Sequence, residues 1–326
     1  MHTLIPYAAA PGARCQQALP SLRLPHLTQL LQILTPGACL QGSLEDLTPV
    51  HERAWAHVLG MDGADGLIGW AALDAQRLGP AAAQGPHGWA WITPCHWTAQ
   101  HDHIDMADPL QLGITPAEVD TLLQAMHSFF SQDGITLFDQ PTGHARMRFL
   151  VHGKVFKDLP TASLDRVSGR AVDHWIPRQP QAQALLRLQN EVQMLLYTHP
   201  LNAARASSQQ PSVNSFWISG TGTLTPAQAQ AQRTLQVTPA QARNLRGALR
   251  TSALQDDAHA WLNAWEQLDS TLIAELLQQA RAGQPLQLTL CGELQAVTLE
   301  NQPRSLWSRL QRRWQPRALH DFLRTL

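Results

Sequence analysis

The chain has 326 residues, of which 44% are hydrophobic and 15% are charged, and its formal net charge is -1. This composition is typical of a globular protein and excludes a disordered chain, while the near-zero charge argues against nucleic-acid binding by bulk electrostatic attraction. The sequence has no apolar run of the roughly 18 residues that cross a bilayer and no signal-peptide pattern, so we expect a cytoplasmic protein without a membrane segment. The four cysteines are not clustered, which agrees with a reducing compartment and argues against a structural zinc knuckle.

The first half of the chain alternates between predicted strands and helices. Short apolar runs predict strands over residues 2–8, 88–94, 135–138 and 147–151. Helical spacing and end signals predict helices over residues 24–34, 48–60 and 115–134. The last of these has Thr115 as its N-cap, Pro116 as its first helical residue and Glu118 completing a capping box. The last two strands are expected to flank a turn at residues 141–143.

The second half continues the alternation. It contains a predicted polar loop over residues 159–175 and two predicted long helices over residues 181–197 and 257–283. Three strands are predicted over residues 212–222, 285–292 and 294–300. Residues 226–255, rich in Gln and Ala, predict a surface excursion. Helices that alternate with short strands are typical of a layered α/β fold with a mixed sheet, here expected as a single globular unit over residues 1–326.

Residues 94–109, PCHWTAQHDHIDMADP, hold three histidines and three aspartates directly after a predicted strand. Loops at the carboxyl ends of strands are where α/β proteins place their sites, and imidazole with carboxylate ligands suits a divalent metal such as zinc or manganese. The subset that can converge on one ion is His96, Asp102, His103 and Asp108. Alternatively, the histidines and aspartates pair with one another and cap backbone amides, with Asp108 opening a turn.

Two further motifs predict ligand contacts. In SLDRVSGR, Arg166 and Arg170 can clamp a phosphate or carboxylate, or they can form an internal network with neighbouring aspartates. In VNSFWISGTG, Asn214 and Ser219 accompany two glycines, Gly220 and Gly222, at which a backbone can approach a ligand or simply make a tight turn.

Other chemical motifs are absent from the sequence. It has no phosphate-binding G-x-x-x-x-G-K-[ST], no dinucleotide fingerprint, no G-x-S-x-G elbow and no H-E-x-x-H. The C-terminal stretch from Arg304 carries six arginines against one aspartate, together with Trp307 and Trp314. It predicts either a contact with a nucleic acid or an acidic partner, of which the nucleic acid ranks last, or a helix that buries its leucines and solvates its arginines.

Several motifs resemble known families. PHLTQLLQ is similar to the segment after the first strand in the alkaline phosphatase superfamily, and VNSFWISGTG resembles a segment of archaeal-type cofactor-independent phosphoglycerate mutases. HW…DHIDMADP, LPTASLDRVSGR, LQNEVQMLLYTHP, VNSFWISGTG and LTLCGE are similar, in this order, to a proteobacterial family over nearly the whole chain. That family comprises the RpfE-type regulators of pathogenicity-factor clusters, also described as mutase-like. The resemblance implies a degenerate alkaline phosphatase or phosphoglycerate mutase-like scaffold.

The departures from the mutase pattern limit what the resemblance implies. Mutases of this superfamily use an aspartate at the end of the first strand as a metal ligand, yet no carboxylate occurs between Met1 and Cys39. We therefore expect a catalytically degenerate regulatory or binding protein, without an assigned catalytic residue, whose partner is a small phosphorylated ligand or another protein. The alternative is a metal-dependent phosphatase or phosphomutase whose ligands have moved to the His/Asp stretch.

Overall fold

A computed structural model describes residues 2–76, 87–138, 148–234, 247, 249–301 and 319–326. The strands are β1 (His2–Ile5), β2 (Thr35–Gln41), β3 (Gly88–Cys95), β4 (Trp97–Ala99), β5 (Ile104–Met106), β6 (Thr136–Phe138), β7 (Phe149–Gly153), β8 (Arg170–Ala171), β9 (Ser215–Gly222), β10 (Gln287–Cys291) and β11 (Gln295–Glu300). The helices are α1 (Ala13–Ala18), α2 (Pro25–Ile33), α3 (Val50–Val58), α4 (Trp70–Ala75), α5 (Pro116–Gln132), α6 (Leu164–Val167), α7 (Gln183–Tyr197), α8 (Pro200–Ser207), α9 (Pro226–Thr234), α10 (Ala258–Leu268), α11 (Ala274–Arg281) and α12 (Leu319–Arg324).

The chain divides into two compact units. Unit 1 comprises Met1–Glu45, Pro49–Val58 and Gln236–Leu326, and unit 2 comprises Asp46–Thr48 and Leu59–Leu235. The expectation of a single globular unit stays a prediction. So does the surface excursion at residues 226–255, because residues 235–246 and 248 lie outside the described part of the chain.

Unit 1 is a mixed sheet between two helical layers. The strand order is β1-β10-β11-β2, in which β1 runs parallel to β10 and the other pairs are antiparallel. Alternate residues of β1 face opposite sides, as the pleat requires: Ile5 packs in the core formed with α2, α10 and α11, whereas Leu4 packs against Val50 of α3. The predicted layered α/β fold with a mixed sheet is thereby confirmed.

The predicted helix over residues 257–283 forms as one helical run with an interruption. A π-helical segment, Asp269–Ile273, joins α10 to α11. The Asp269 carboxylate, 3% exposed, accepts hydrogen bonds from the backbone N–H groups of His26 (3.1 Å) and Leu27 (2.7 Å) at the start of α2. The interruption thus places a carboxylate at a helix N-terminus, where unpaired amides favour negative charge.

Unit 2 contains a four-stranded antiparallel sheet and a smaller three-stranded sheet. Their strand orders are β6-β7-β3-β9 and β4-β5-β8. Ala90 and Ile92 of β3 contribute to the core shared with α5 and α7, while Trp89 packs with the alanines of α4 on the opposite face. The capping box predicted between Thr115 and Glu118 is present at the start of α5.

Several segments differ from the sequence prediction, among them α1, α4 and α8, which were not predicted, and the His/Asp stretch, which was expected as a loop and contains β4 and β5. The predicted loop over residues 159–175 contains α6 and β8. The strand β2 was not predicted, because its Pro36-Gly37 pair is typical of a turn; the strand forms at the sheet edge, where a proline is tolerated. The Gly-Thr-Gly segment, predicted as a turn after a strand, lies inside β9. Residues 141–143 and 302–318, where a turn and most of an Arg-rich helix were predicted, lie outside the described residues.

Candidate ligand-binding site

The His/Asp stretch continues β3 into a hairpin formed by β4 and β5. His103 lies in the turn, with its Nδ1 2.6 Å from a carboxylate oxygen of Asp102 and its Nε2 3.4 Å from one of Asp105. The hydrogen bond to Asp102 is the main cause that raises the pKa of His103 above its ordinary value, and the charge of Asp105 adds to it. Both imidazole nitrogens therefore already face carboxylates within the hairpin.

The other two predicted metal ligands lie apart from this cluster. The His96 Nδ1 is 2.9 Å from the carbonyl oxygen of Ser212. Asp108 is 6% exposed, and its carboxylate accepts a hydrogen bond from the backbone N–H of Leu110 (3.2 Å), capping a short 3₁₀ turn. In the described part of the chain, neither these two residues nor Asp102 and His103 belong to a group of three ligand atoms within 4.8 Å of one another.

This arrangement does not fit a single ion held by His96, Asp102, His103 and Asp108. A tetrahedral zinc site needs its donors converging on one point, about 2 Å from the metal. The geometry instead corresponds to the alternative in which the side chains pair with one another and cap backbone amides. Binding of zinc or manganese stays a prediction, which requires rearrangement of these residues.

The two predicted phosphate-binding arginines are presented differently. Arg166 of α6 is 2% exposed, and its guanidinium carbon lies 5.6 Å from the centroid of the Trp175 ring. Arg170 of β8 is partly exposed and lies opposite Met106 of β5. Because only one of the two reaches solvent, they do not form a ready clamp for a phosphate from solution.

Asn214 of the VNSFWISGTG motif is hydrogen-bonded to the backbone of Trp97. The Asn214 Oδ1 accepts from the backbone N–H of Trp97 (2.7 Å), and its Nδ2 donates to the Trp97 carbonyl (2.8 Å). Asn214 therefore ties the start of β9 to β4, and Ser219 within β9 is 3% exposed.

The two glycines of this motif make room for neighbouring protein atoms. Gly220 has φ +67°, and a Cβ there would lie 2.6 Å from the Trp91 ring. Gly222 has φ +131°, and a Cβ there would lie 2.4 Å from the carbonyl oxygen of Leu67. Both values are far below a van der Waals contact, so packing within unit 2 is sufficient to require glycine at both positions.

A cavity of about 550 Å³ lies in unit 1, beyond the carboxyl end of β1. This edge of a parallel strand pair is a common position for ligands in α/β proteins, and the volume is in the usual range for small-molecule sites. The lining comes from the loop after β1, from α1 and the residue after it, from the segment after β2, from α10, from the turn between β10 and β11, and from α12 and the residues after it. Its residues are Ala9, Ala10, Pro11, Ala13, Cys15, Gln16, Gln17, Leu19, Leu44, Trp261, Glu293, Leu294, Leu323, Arg324 and Leu326.

The only thiol among these lining residues is not activated. Burial, with a smaller contribution from Asp256, raises the pKa of Cys15 to about 12. Asp256 accepts hydrogen bonds from the backbone N–H groups of Arg14 (3.0 Å) and Cys15 (2.9 Å). Gly12 permits this approach, because a Cβ there would lie 2.1 Å from the Asp256 carboxylate. A thiol that stays protonated at neutral pH is a poor nucleophile.

Sequence reasoning missed this cavity because its lining carries no recognisable chemical motif. AAAPGA supplies part of the lining with small side chains, whereas Trp261, Glu293 and Leu323 come from segments more than 200 residues further along the chain. The available signal was positional: the segment directly follows the first strand.

Comparisons with known proteins give distant similarities. No protein-family model matches the chain, and no curated protein matches it. Among solved structures, the PH0037 protein from Pyrococcus horikoshii is similar at 12% identity and a TM-score of 0.45, covering 92% of this chain and 86% of that one. The cofactor-independent phosphoglycerate mutase from Thermoplasma acidophilum DSM 1728 is similar at 14% identity and a TM-score of 0.35, covering 91% and 88%. Within the described residues, none of the helices has the length and apolar character that a membrane crossing requires.

Proposed function

We propose that the chain is a cytoplasmic regulatory or binding protein on a catalytically degenerate phosphoglycerate mutase-like scaffold, and that it binds a small ligand in the cavity of unit 1. One observation carries the proposal. The cavity lies beyond the carboxyl end of β1, where an α/β protein commonly binds its ligand. Its walls nevertheless consist mainly of apolar side chains, which can bind a ligand but cannot catalyse a reaction.

The chemistry of the lining supports binding over phosphoryl transfer. A two-metal phosphoryl-transfer site needs several carboxylates to hold its cations. The loop that follows β1 has none, and the lining includes one carboxylate side chain, that of Glu293. The Cys15 thiol, with its raised pKa, does not replace the missing nucleophile.

The regulatory part of the proposal comes from the resemblance of five ordered motifs to the type-E regulators of pathogenicity-factor clusters. The competing proposal is a metal-dependent phosphatase or phosphomutase that uses the His/Asp stretch. The cluster of Asp102, His103 and Asp105 favours it, but both imidazole nitrogens of His103 are already opposite carboxylates. A metal would have to displace these contacts.

Metal content and turnover separate the two proposals. Protein purified without added metal would be analysed for bound elements, beside a variant carrying Asp102→Ala and His103→Ala, and both would be assayed with phosphate monoesters. We expect no stoichiometric metal and no turnover. One or two equivalents of a divalent ion in the parent, lost together with turnover in a still-folded variant, would establish the enzyme and refute the binding protein.

A further inference from the structure

We infer that the cavity of unit 1 binds a small organic carboxylate, with an apolar aliphatic or aromatic body inside and the carboxylate at the rim against Arg324. The inference rests on the proposed function, because it names the ligand class of the same cavity. It follows from the apolar walls and from which of the charged lining residues already have interaction partners.

The walls require an apolar body. Leu19 (4% exposed), Trp261 (1%) and Leu323 (0%) line the cavity with side chains that have almost no contact with solvent. The indole N–H of Trp261 donates to the Tyr7 carbonyl (3.2 Å), so this ring presents no unpaired donor to a ligand. Transfer of an aliphatic chain or aromatic ring from water to such walls is favourable.

The rim adds exposed apolar surface. Leu44 is 50% exposed and Leu294 is 45% exposed, and both line the cavity. Large apolar side chains at the mouth of an apolar cavity extend the surface that a ligand chain can cover.

Arg324 supplies the charge that selects the head group. Its side chain is 57% exposed, and its Nη1 lies 3.8 Å from an Asp321 oxygen, which is beyond hydrogen-bonding distance. Within the described residues no other polar partner of Arg324 is present. A guanidinium presents parallel N–H donors that match the two oxygens of a carboxylate.

The other charged groups of the lining are already engaged. Glu293 has an interaction of its own, and a Leu326 oxygen accepts from the backbone N–H groups of Leu294 (3.2 Å) and Gln295 (2.8 Å). A phosphate ester carries about two charges, whereas the lining offers one cationic side chain, Arg324, with the neutral amides of Gln16 and Gln17 as further donors. A singly charged carboxylate therefore fits better than a phosphate.

The test uses four probes that share one eight-carbon chain: octanoate, octan-1-ol, octylammonium and octyl phosphate. Calorimetric titration of the full chain should show octanoate binding most tightly, about tenfold better than octanol, from one charge-assisted pairing. Arg324→Gln should remove this advantage and leave octanol binding unchanged, whereas Arg324→Lys, which keeps the charge without the fork, should retain part of it. Arg281→Gln is the matched control, because Arg281 lies outside the lining and bonds to Gln29.

The outcomes separate this inference from the proposed function. Equal affinities of octanoate and octanol, or an octanoate advantage that persists in Arg324→Gln, would refute the carboxylate assignment and leave a binding cavity. Tightest binding of octylammonium or octyl phosphate would refute it in favour of another head group. Absence of binding by all four probes would also refute the carboxylate inference. The proposed function itself is refuted by a different result, namely stoichiometric metal together with turnover.

Discussion

The hairpin of unit 2 and the cavity of unit 1 differ in how many of their polar groups already have partners. In the hairpin, Asp173 accepts from the backbone N–H of Ile104 (2.8 Å), Asn214 bonds twice to Trp97, and His103 lies between two carboxylates. In the cavity, apolar walls adjoin one exposed arginine, Arg324, whose ion-pair partner Asp321 lies 3.8 Å away, beyond hydrogen-bonding distance. A group that is already hydrogen-bonded gains little from a ligand. A polar group that lacks a hydrogen-bond partner therefore indicates a binding site better than a high density of ionisable residues does.

The largest effect that tests this comparison is expected at Arg205, a buried cation of unit 2. Arg205 is 1% exposed; it donates to Glu118 (2.9 Å) and to the carbonyls of Pro211 (2.7 Å) and Leu112 (2.5 Å). Arg205→Ala leaves these acceptors unpaired and should lower the free energy of unfolding by about 3–5 kcal/mol, measured by urea denaturation. The control Arg187→Ala removes an ion pair with Asp133 in which the Arg187 side chain is 61% exposed, and it should cost less than about 1 kcal/mol.

The ion pair between Arg205 and Glu118 predicts a pH dependence of stability. Burial alone would raise the pKa of Glu118, but hydrogen bonds from Thr115 and Arg205 lower it below its ordinary value. A lowered pKa means that this contribution to stability is present above the unfolded-state pKa and is lost as the pH falls through the lower, folded-state pKa. Acid denaturation of Arg205→Ala should therefore show a weaker dependence on pH in that range, and an unchanged slope would contradict this account.

The next largest effect concerns the glycines that were predicted to bind a ligand. Gly222→Ala places a Cβ 2.4 Å from the Leu67 carbonyl at φ +131° and should cost about 3 kcal/mol of stability through strain and displacement. The matched control is Gly113→Ala, at φ +59° with no atom within 4 Å, which should cost about 1 kcal/mol. Similar unfolding free energies for the two variants would show that Gly222 is not a packing glycine.

A smaller effect is expected at Asn214. Asn214→Ala removes both hydrogen bonds to Trp97 and should cost about 1–2 kcal/mol, because each bond contributes modestly to net stability. Asn214→Asp keeps the acceptor but loses the donor, so it should fall between the parent and the alanine variant. Full stability of Asn214→Ala, measured by thermal unfolding, would remove the structural role and restore this side chain as a candidate ligand contact.

The smallest effect is the titration of His103. Because Asp102 and Asp105 raise its pKa, the imidazole should remain protonated above the ordinary value of about 6.5. Its contribution to the hairpin is complete below the ordinary pKa and is lost as the pH rises through the raised pKa. Nuclear magnetic resonance titration of the ring should show this, and Asp102→Asn should return the pKa towards the ordinary value. A parent pKa at or below that value would contradict the ion pairing.

Local patterns predicted much of the fold. The spacing of apolar residues and the Thr115–Glu118 capping box located α5, and the same kind of signal located α7 and the helical run that ends at Arg281. The strand β2 was not predicted because the position that tolerates its Pro36 is a sheet edge, which depends on tertiary structure.

The candidate site was less predictable for a physical reason. A glycine that gives room to a ligand and one that gives room to a neighbouring carbonyl have the same sequence signal, as Gly222 shows. Likewise, Asp102 and His103 attract attention as metal ligands, although their spacing does not reveal whether they bond to each other. The cavity depends on Ala10 and Trp261 being brought together by the sheet, which no local pattern records.

The pairing of β1 with β10 has a consequence for synthesis of the chain. His2 lies opposite Gln287, so the first strand leaves the ribosome long before its partner has been translated. Residues Leu59–Leu235 of unit 2 are contiguous and can fold during this interval, since domains generally fold as units during translation. Unit 1, by contrast, cannot complete its sheet during this interval, and β1 remains an unpaired edge open to chaperones or to neighbouring nascent chains until β10 has been translated.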